Sequence, residues 1–214
     1  MAARFSALQK LSAAVALAVA VAAAPAIALA QGEAASPPKK KLAGPTVQPK
    51  TPAERTKNLD FLFGALKVAP DEASARHVEA RIWAIWMQTP SDTAALLMLR
   101  ARAAMEAQQM DVALKLLDAV IKLRPDYVEG WNRRATLFYM QNDYARSLAD
   151  IAQVLAREPR HFGALAGLGM IMQDLGDDKR ALEVFRKALV IDPHMEKVPE
   201  LVKTLSEKVE GRDI

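Results

Sequence analysis

The sequence predicts an all-α fold, a right-handed α-solenoid of helix–turn–helix repeats with a degenerate N-terminal repeat and a C-terminal capping helix. Two observations carry that prediction. Pro125, Pro159 and Pro193 stand 34 residues apart, and small and large apolar residues recur in the same register between them. Within each half-repeat the apolar residues fall three or four apart, the spacing of an amphipathic helix.

The first fifty residues follow another pattern. Arg4 and Lys10 precede an apolar, alanine-rich run from Leu11 to Ala24, too short to span a bilayer comfortably; Pro25 breaks it, and Ala28-Leu29-Ala30 offers a small-x-small cleavage site. Residues 1–30 are therefore expected to be a signal peptide, with the mature chain beginning at Gln31. Residues 31–52 are rich in Pro, Ala and Lys and lack apolar periodicity, so they read as a tether.

Residues 53–93 contain two helical stretches, "NLDFLFGALKVA" and "DEASARHVEARIWAIWMQ", on either side of Ala69-Pro70. With an abbreviated turn and a blurred small-residue pattern, they are expected to form a degenerate capping repeat. Trp83 and Trp86 would then pack in its core against the first full repeat.

Three repeats follow, 94–127, 128–161 and 162–195. Their first helices align Leu97, Trp131 and Leu165, then Ala101, Ala135 and Gly169, then Ala104, Phe138 and Met172. Their second helices align Ala113, Ser147 and Ala181, then Leu117, Ile151 and Phe185, then Val120, Val154 and Ala188. Small residues let paired helices approach, and the large ones fill the remaining space. Gln108-Gln109, Asn142-Asp143 and Gly176-Asp177 supply short polar turns, and each proline stops a second helix. Arg100 and Arg134 stand at packing positions, where their stems would fill gaps while the guanidinium reaches solvent. Residues 196–214 close the array with an amphipathic helix, Leu201, Val202, Leu205 and Val209 opposite Lys203, Glu207 and Lys208. Nine helices and no strands are expected.

This register resembles the tetratricopeptide repeat (TPR) family. The third repeat carries the pattern best, in Leu165, Leu168, Gly169, Met172, Ala181, Phe185, Ala188 and Pro193; the second keeps Trp131, Ala135, Phe138 and Pro159. The resemblance implies a concave groove lined by the first helix of each repeat. By position that groove holds Met98, Arg102 and Met105, then Asn132, Arg133, Thr136 and Tyr139, then Met170 and Gln173, with Glu129, Gly163 and Gly167 on the same faces. It also implies binding of a protein or peptide segment, and Asn132, Arg133 and Arg102 could grip a carboxylate.

Composition excludes several functions. The absence of cysteine removes disulfides, thiol nucleophiles and cysteine metal sites. The formal net charge of +4 arises from the leader and tether; from Asn58 onward the chain has no net basic charge, which argues against nucleic acid. His77, His161 and His194 are dispersed, and the last two are expected in surface loops. Gly176-Asp177-Asp178 reads as a turn with first-turn carboxylates. No catalytic residue, cofactor or metal site is expected. The expectation is a non-enzymatic interaction module of the periplasm, exported and without a membrane anchor after cleavage. The alternative is a self-associating structural protein, a homo-oligomer whose groove is filled by its own tether or a second copy.

Overall fold

The computed structural model describes residues 51–211, so the leader-like segment and nearly all of the tether lie outside the described residues. Among those described, nine α-helices and no strands are found. They are α1 (Pro52–Lys67), α2 (Glu72–Trp86), α3 (Asp92–Glu106), α4 (Met110–Leu123), α5 (Val128–Met140), α6 (Tyr144–Arg157), α7 (Phe162–Asp174), α8 (Asp178–Ile191) and α9 (Val198–Val209).

The 34-residue period sets the turns as well as the helices. Gln108, Asn142 and Gly176 occupy one repeat position, and all three are left-handed, at φ 58°, 59° and 79°. That backbone costs glycine little, asparagine somewhat more and glutamine most. The next residue is the N-cap. Asp143 and Asp177 accept the amides of Arg146 and Arg180, closing α6 and α8, whereas Gln109 gives α4 no side-chain cap.

Helix pairs close over the small residues. A Cβ on Gly169 would lie 2.5 Å from the Phe185 ring, so α7 approaches α8 as closely as the aligned alanine rows demand. Ala101, Ala135, Ala113 and Ala181 are buried at the matching places. Ser147, standing where the other repeats have alanine, is also buried and donates from its hydroxyl to the Ala135 carbonyl at 2.8 Å. Each pair leans on the next, α4 on α5 and α6 on α7. At the C-terminal end α9 covers α8 with Val198 and Leu205, clamped by Arg186 to Glu210 at 2.7 Å and by Lys208 to Asp178.

Arg134 corrects one expectation. Its guanidinium does not reach solvent freely. It forms a two-pronged bond to Asp150, both contacts 2.8 Å, and a third at 2.7 Å to Asp118, tying α5 to α6 and α4. Trp131 is only partly buried; its Nε1 donates to the Pro125 carbonyl while Arg134 and Arg157 lie over its ring.

The first helix begins earlier than apolar spacing predicts, because Thr51 and Glu54 form a reciprocal capping box and Pro52 takes the first helical position. The larger difference is where this helix pair packs. Leu59, Leu62, Phe63, Leu66, Ala75, Ile82 and Trp86 form one buried cluster whose eighth member is Phe162, at the start of α7. Ile191 and Met195 pack against the same cluster. The tryptophans are core residues as expected, but their partners belong to the second and third repeats. Among the described residues, no broad helix–helix contact joins α2 to α3. Leu96 and Leu99 of α3 are correspondingly exposed.

Candidate partner-binding face

The helices α1 and α2 sit along the inter-repeat loops, at positions the repeat makes equivalent. Tyr127, His161 and Met195 each stand two residues after a repeat proline, and each touches this pair. The Tyr127 hydroxyl donates to the Met87 carbonyl at 2.8 Å. The His161 ring stacks on Trp86, centroids 4.2 Å apart and 12° from parallel. Met195 joins the apolar cluster. Arg160 adds an ion pair to Asp60 at 2.6 Å and lies 4.4 Å over the Phe63 ring.

His161 is fully buried, contrary to its expected place on the surface. Its Nδ1 accepts the Ala164 amide at 3.0 Å, which leaves the proton on Nε2, and that proton is donated to Glu129 at 2.8 Å. Glu129 is buried too, and burial by itself would push its carboxyl up. The hydrogen bond from His161, the Asn132 amide at 3.1 Å and the Arg133 charge outweigh that and hold it below the ordinary carboxylate range. The Arg133 guanidinium lies 3.6 Å from Glu129 and also reaches the Met87 sulfur. Asn132 and Arg133 thus already serve a buried carboxylate of the protein itself.

The nine groove residues divide accordingly. Met98 is buried in the first repeat's core, and Met105 is half-buried against the same cluster. Their work is packing. Arg102 is exposed and paired with Glu106 at 2.8 Å. Asn132, Thr136, Tyr139 and Met170 come together around a cleft of about 90 Å³ between α5 and α7. Its floor comes from Ala135, Ser147, Ile151, Ala164 and Ile171, and Gly163 and Gly167 keep the α7 wall low. Gln173 lies on α7 but outside the lining. Thr136 is exposed, its hydroxyl donating to the Asn132 carbonyl, and Met170 and Met140 are exposed nearby on α7 and α5. Burial and the neighbouring Asp174 raise the Tyr139 phenol, which therefore stays protonated as a donor.

The two glycines of this wall differ. A Cβ on Gly163 would press on the Trp83 ring at 2.9 Å, so α2 packs directly on the start of α7 beside the cleft. A Cβ on Gly167 would meet only Ile151, at an ordinary 3.8 Å. Repeat position puts Gly163 and Gly167 on this face, and helical spacing alone carries no sign that α2 packs beside it. The aligned bulky trio Tyr127, His161 and Met195 was the available signal. Among the described residues, no group of three or more potential metal ligands is found, and no helix is long and apolar enough to cross a membrane.

A pairwise stack of helices in a 34-residue register defines an α-solenoid of the TPR type. A family model described as tetratricopeptide repeat matches residues 98–150 and 132–196. A TPR repeat-containing protein of Rhizobium etli is 41% identical over 153 residues, which is 72% of this chain and 75% of that one. The chain belongs to the tetratricopeptide repeat family. Solved structures of similar fold include the Sgt2 TPR domain from Aspergillus fumigatus, TM-score 0.53 at 19% identity, covering 57% of this chain and 82% of that one. The first TPR of Spaghetti (RPAP3), bound to an HSP90 peptide, gives TM-score 0.53 at 15% identity over 57% of this chain and 97% of its own. The MamA protein gives 0.51 at 17% identity over 74% and 84%. At these identities the likenesses establish the fold alone.

Proposed function

We propose that this is a non-enzymatic protein-interaction module of the cell envelope that holds a peptide or protein segment in the α5–α7 cleft, in a scaffold or chaperone-like role. The cleft carries the reading. It is walled by a side-chain-poor stretch of α7 and rimmed by exposed Met170, with Thr136 and Tyr139 as polar points. Methionine adapts to varied apolar side chains, and an extended segment needs the backbone access that glycine leaves. The fold-mate Spaghetti holds a peptide, which supports the same use here. Export of a mature chain starting at Gln31 follows from the leader pattern, and intact-mass measurement of the exported protein checks it.

Gly167→Phe is the decisive variant, because it fills the cleft from a position whose Cβ has room. Capture of partner from envelope extract should be lost, with a helical melt within about 1 kcal/mol of the parent. Gly167→Ala should bind as the parent does. Undiminished capture by Gly167→Phe would remove the cleft as the binding site. A second reading, a self-associating protein whose groove is filled by its own tether or a second copy, is favoured by the exposed Met140 and Met170 on the same two helices. With a second copy in the groove, the same variant would alter oligomeric state rather than capture of another protein.

A further inference from the structure

Three buried side-chain atoms lack a hydrogen-bond partner among the described residues: Glu79 Oε1, Trp86 Nε1 and Asp192 Oδ2. All three lie where α2 meets the array. Trp86 stacks on His161, and the carboxyl of Glu79 on α2 faces that of Asp192 in the loop before α9. Unsatisfied buried polar atoms are costly, and their concentration at one seam places an uncompensated cost there. The rest of the seam includes one exposed ion pair, Arg160 to Asp60, of the kind that contributes little. The five residues from Met87 to Ser91 link α2 to α3, so the pair is joined to the array by a short non-helical segment.

We propose that α1 and α2 form a detachable cover over the inter-repeat edge, latched when Glu79 and Asp192 share a proton and released when both are ionised. Two facing carboxylates with unpaired oxygens repel, whereas one proton supplies the missing donor and removes a charge. Burial and the Asp192 charge raise the Glu79 carboxyl from its ordinary 4.5 to about 7. Burial also raises Asp192, against the amide and charge of His194. The other charges bearing on the pair are Arg76 and Glu72 on α2, which bond to one another at 2.9 Å. A group raised in the docked state favours docking below its free value and loses that favour as pH climbs through its docked value. The cover is therefore held in acid and loosened between about pH 4.5 and 7. The latch is independent of the binding reading and is tested without any partner.

The test is hydrogen exchange on the full chain at pH 5, 6, 7 and 8, corrected for intrinsic rates, in wild type, Glu79→Gln and Asp192→Asn. Protection of residues 52–86, relative to α5 and α6, should fall about tenfold or more from pH 5 to pH 8, a figure discounted for partial solvent screening. Glu79→Gln, whose amide supplies a permanent donor, should stay protected at pH 8. An equal pH dependence in wild type and Glu79→Gln would overturn the latch. So would recovery of protection at pH 8 on adding calcium or magnesium, since the pair would then be a cation site. Failure of either kind leaves the cleft reading standing, because Gly167→Phe tests it separately.

Discussion

At the residue scale, two glycines two positions apart make opposite demands. Gly169 admits no Cβ beside the Phe185 ring, and Gly169→Ala should cost about 1–3 kcal/mol by overpacking. Gly167 has room, and Gly167→Ala should stabilise α7 by up to about 1 kcal/mol through helix propensity. Thermal melts of the two variants check both. Gly169 was legible in the sequence because it falls in a row with Ala101 and Ala135. Glu129 and His161 were not, because a polar residue on a helix face and a histidine after a proline are buried only if a distant helix crosses them. That helix is α2. Glu129, held below the ordinary carboxylate range, contributes stability above its free value that is lost as pH falls through its folded value. Glu129→Gln should remove that dependence, so its melting temperature should drop less than wild type's between pH 6 and pH 3. An equal drop would mean that the His161 bond does not select the ionised carboxylate.

At the element scale, the turn between the two helices of each repeat is the best-read part of the fold. The polar pairs at 108–109, 142–143 and 176–177 marked it, and the backbone there is left-handed in all three. The first repeat does this least well, with glutamine in the left-handed place and no side-chain cap on α4. Gln108→Gly should add about 0.5–1 kcal/mol and Gln109→Asp about 1 kcal/mol, measured by denaturant midpoints at unchanged slope. No gain from Gln109→Asp would mean that α4 begins with its amides already satisfied. The helices α1 and α2 were legible as helices from their apolar spacing, yet their seat was not. A stripe of Ile82, Trp83 and Trp86 demands burial and does not say against what. Sequence order favoured the adjacent α3, and the aromatic slot at His161 and Phe162 prevailed.

At the scale of the whole molecule, the repeat period organises two surfaces. One is the α5–α7 cleft, and the other is the loop edge where Tyr127, His161 and Met195 receive α1 and α2. Gly163→Ala should separate them, because its Cβ presses on Trp83 at 2.9 Å and meets the array only at His161, at an ordinary 3.5 Å. Hydrogen exchange should then rise in residues 52–86 and stay unchanged in α5 to α8. Uniform acceleration across the chain would show that the cover and the array unfold together.

The cleft's role is tested most directly by site-specific photo-crosslinking in the living cell, which the cysteine-free chain leaves uncomplicated by thiol chemistry. A photoreactive residue is placed at Thr136 or Met170 beside the cleft, and at Leu123 or Val190, which are exposed on second helices. One shared adduct is expected from Thr136 and Met170, abolished by Gly167→Phe, and none from Leu123 or Val190. Adducts arising only from Leu123 or Val190 would rule out the cleft as the binding site.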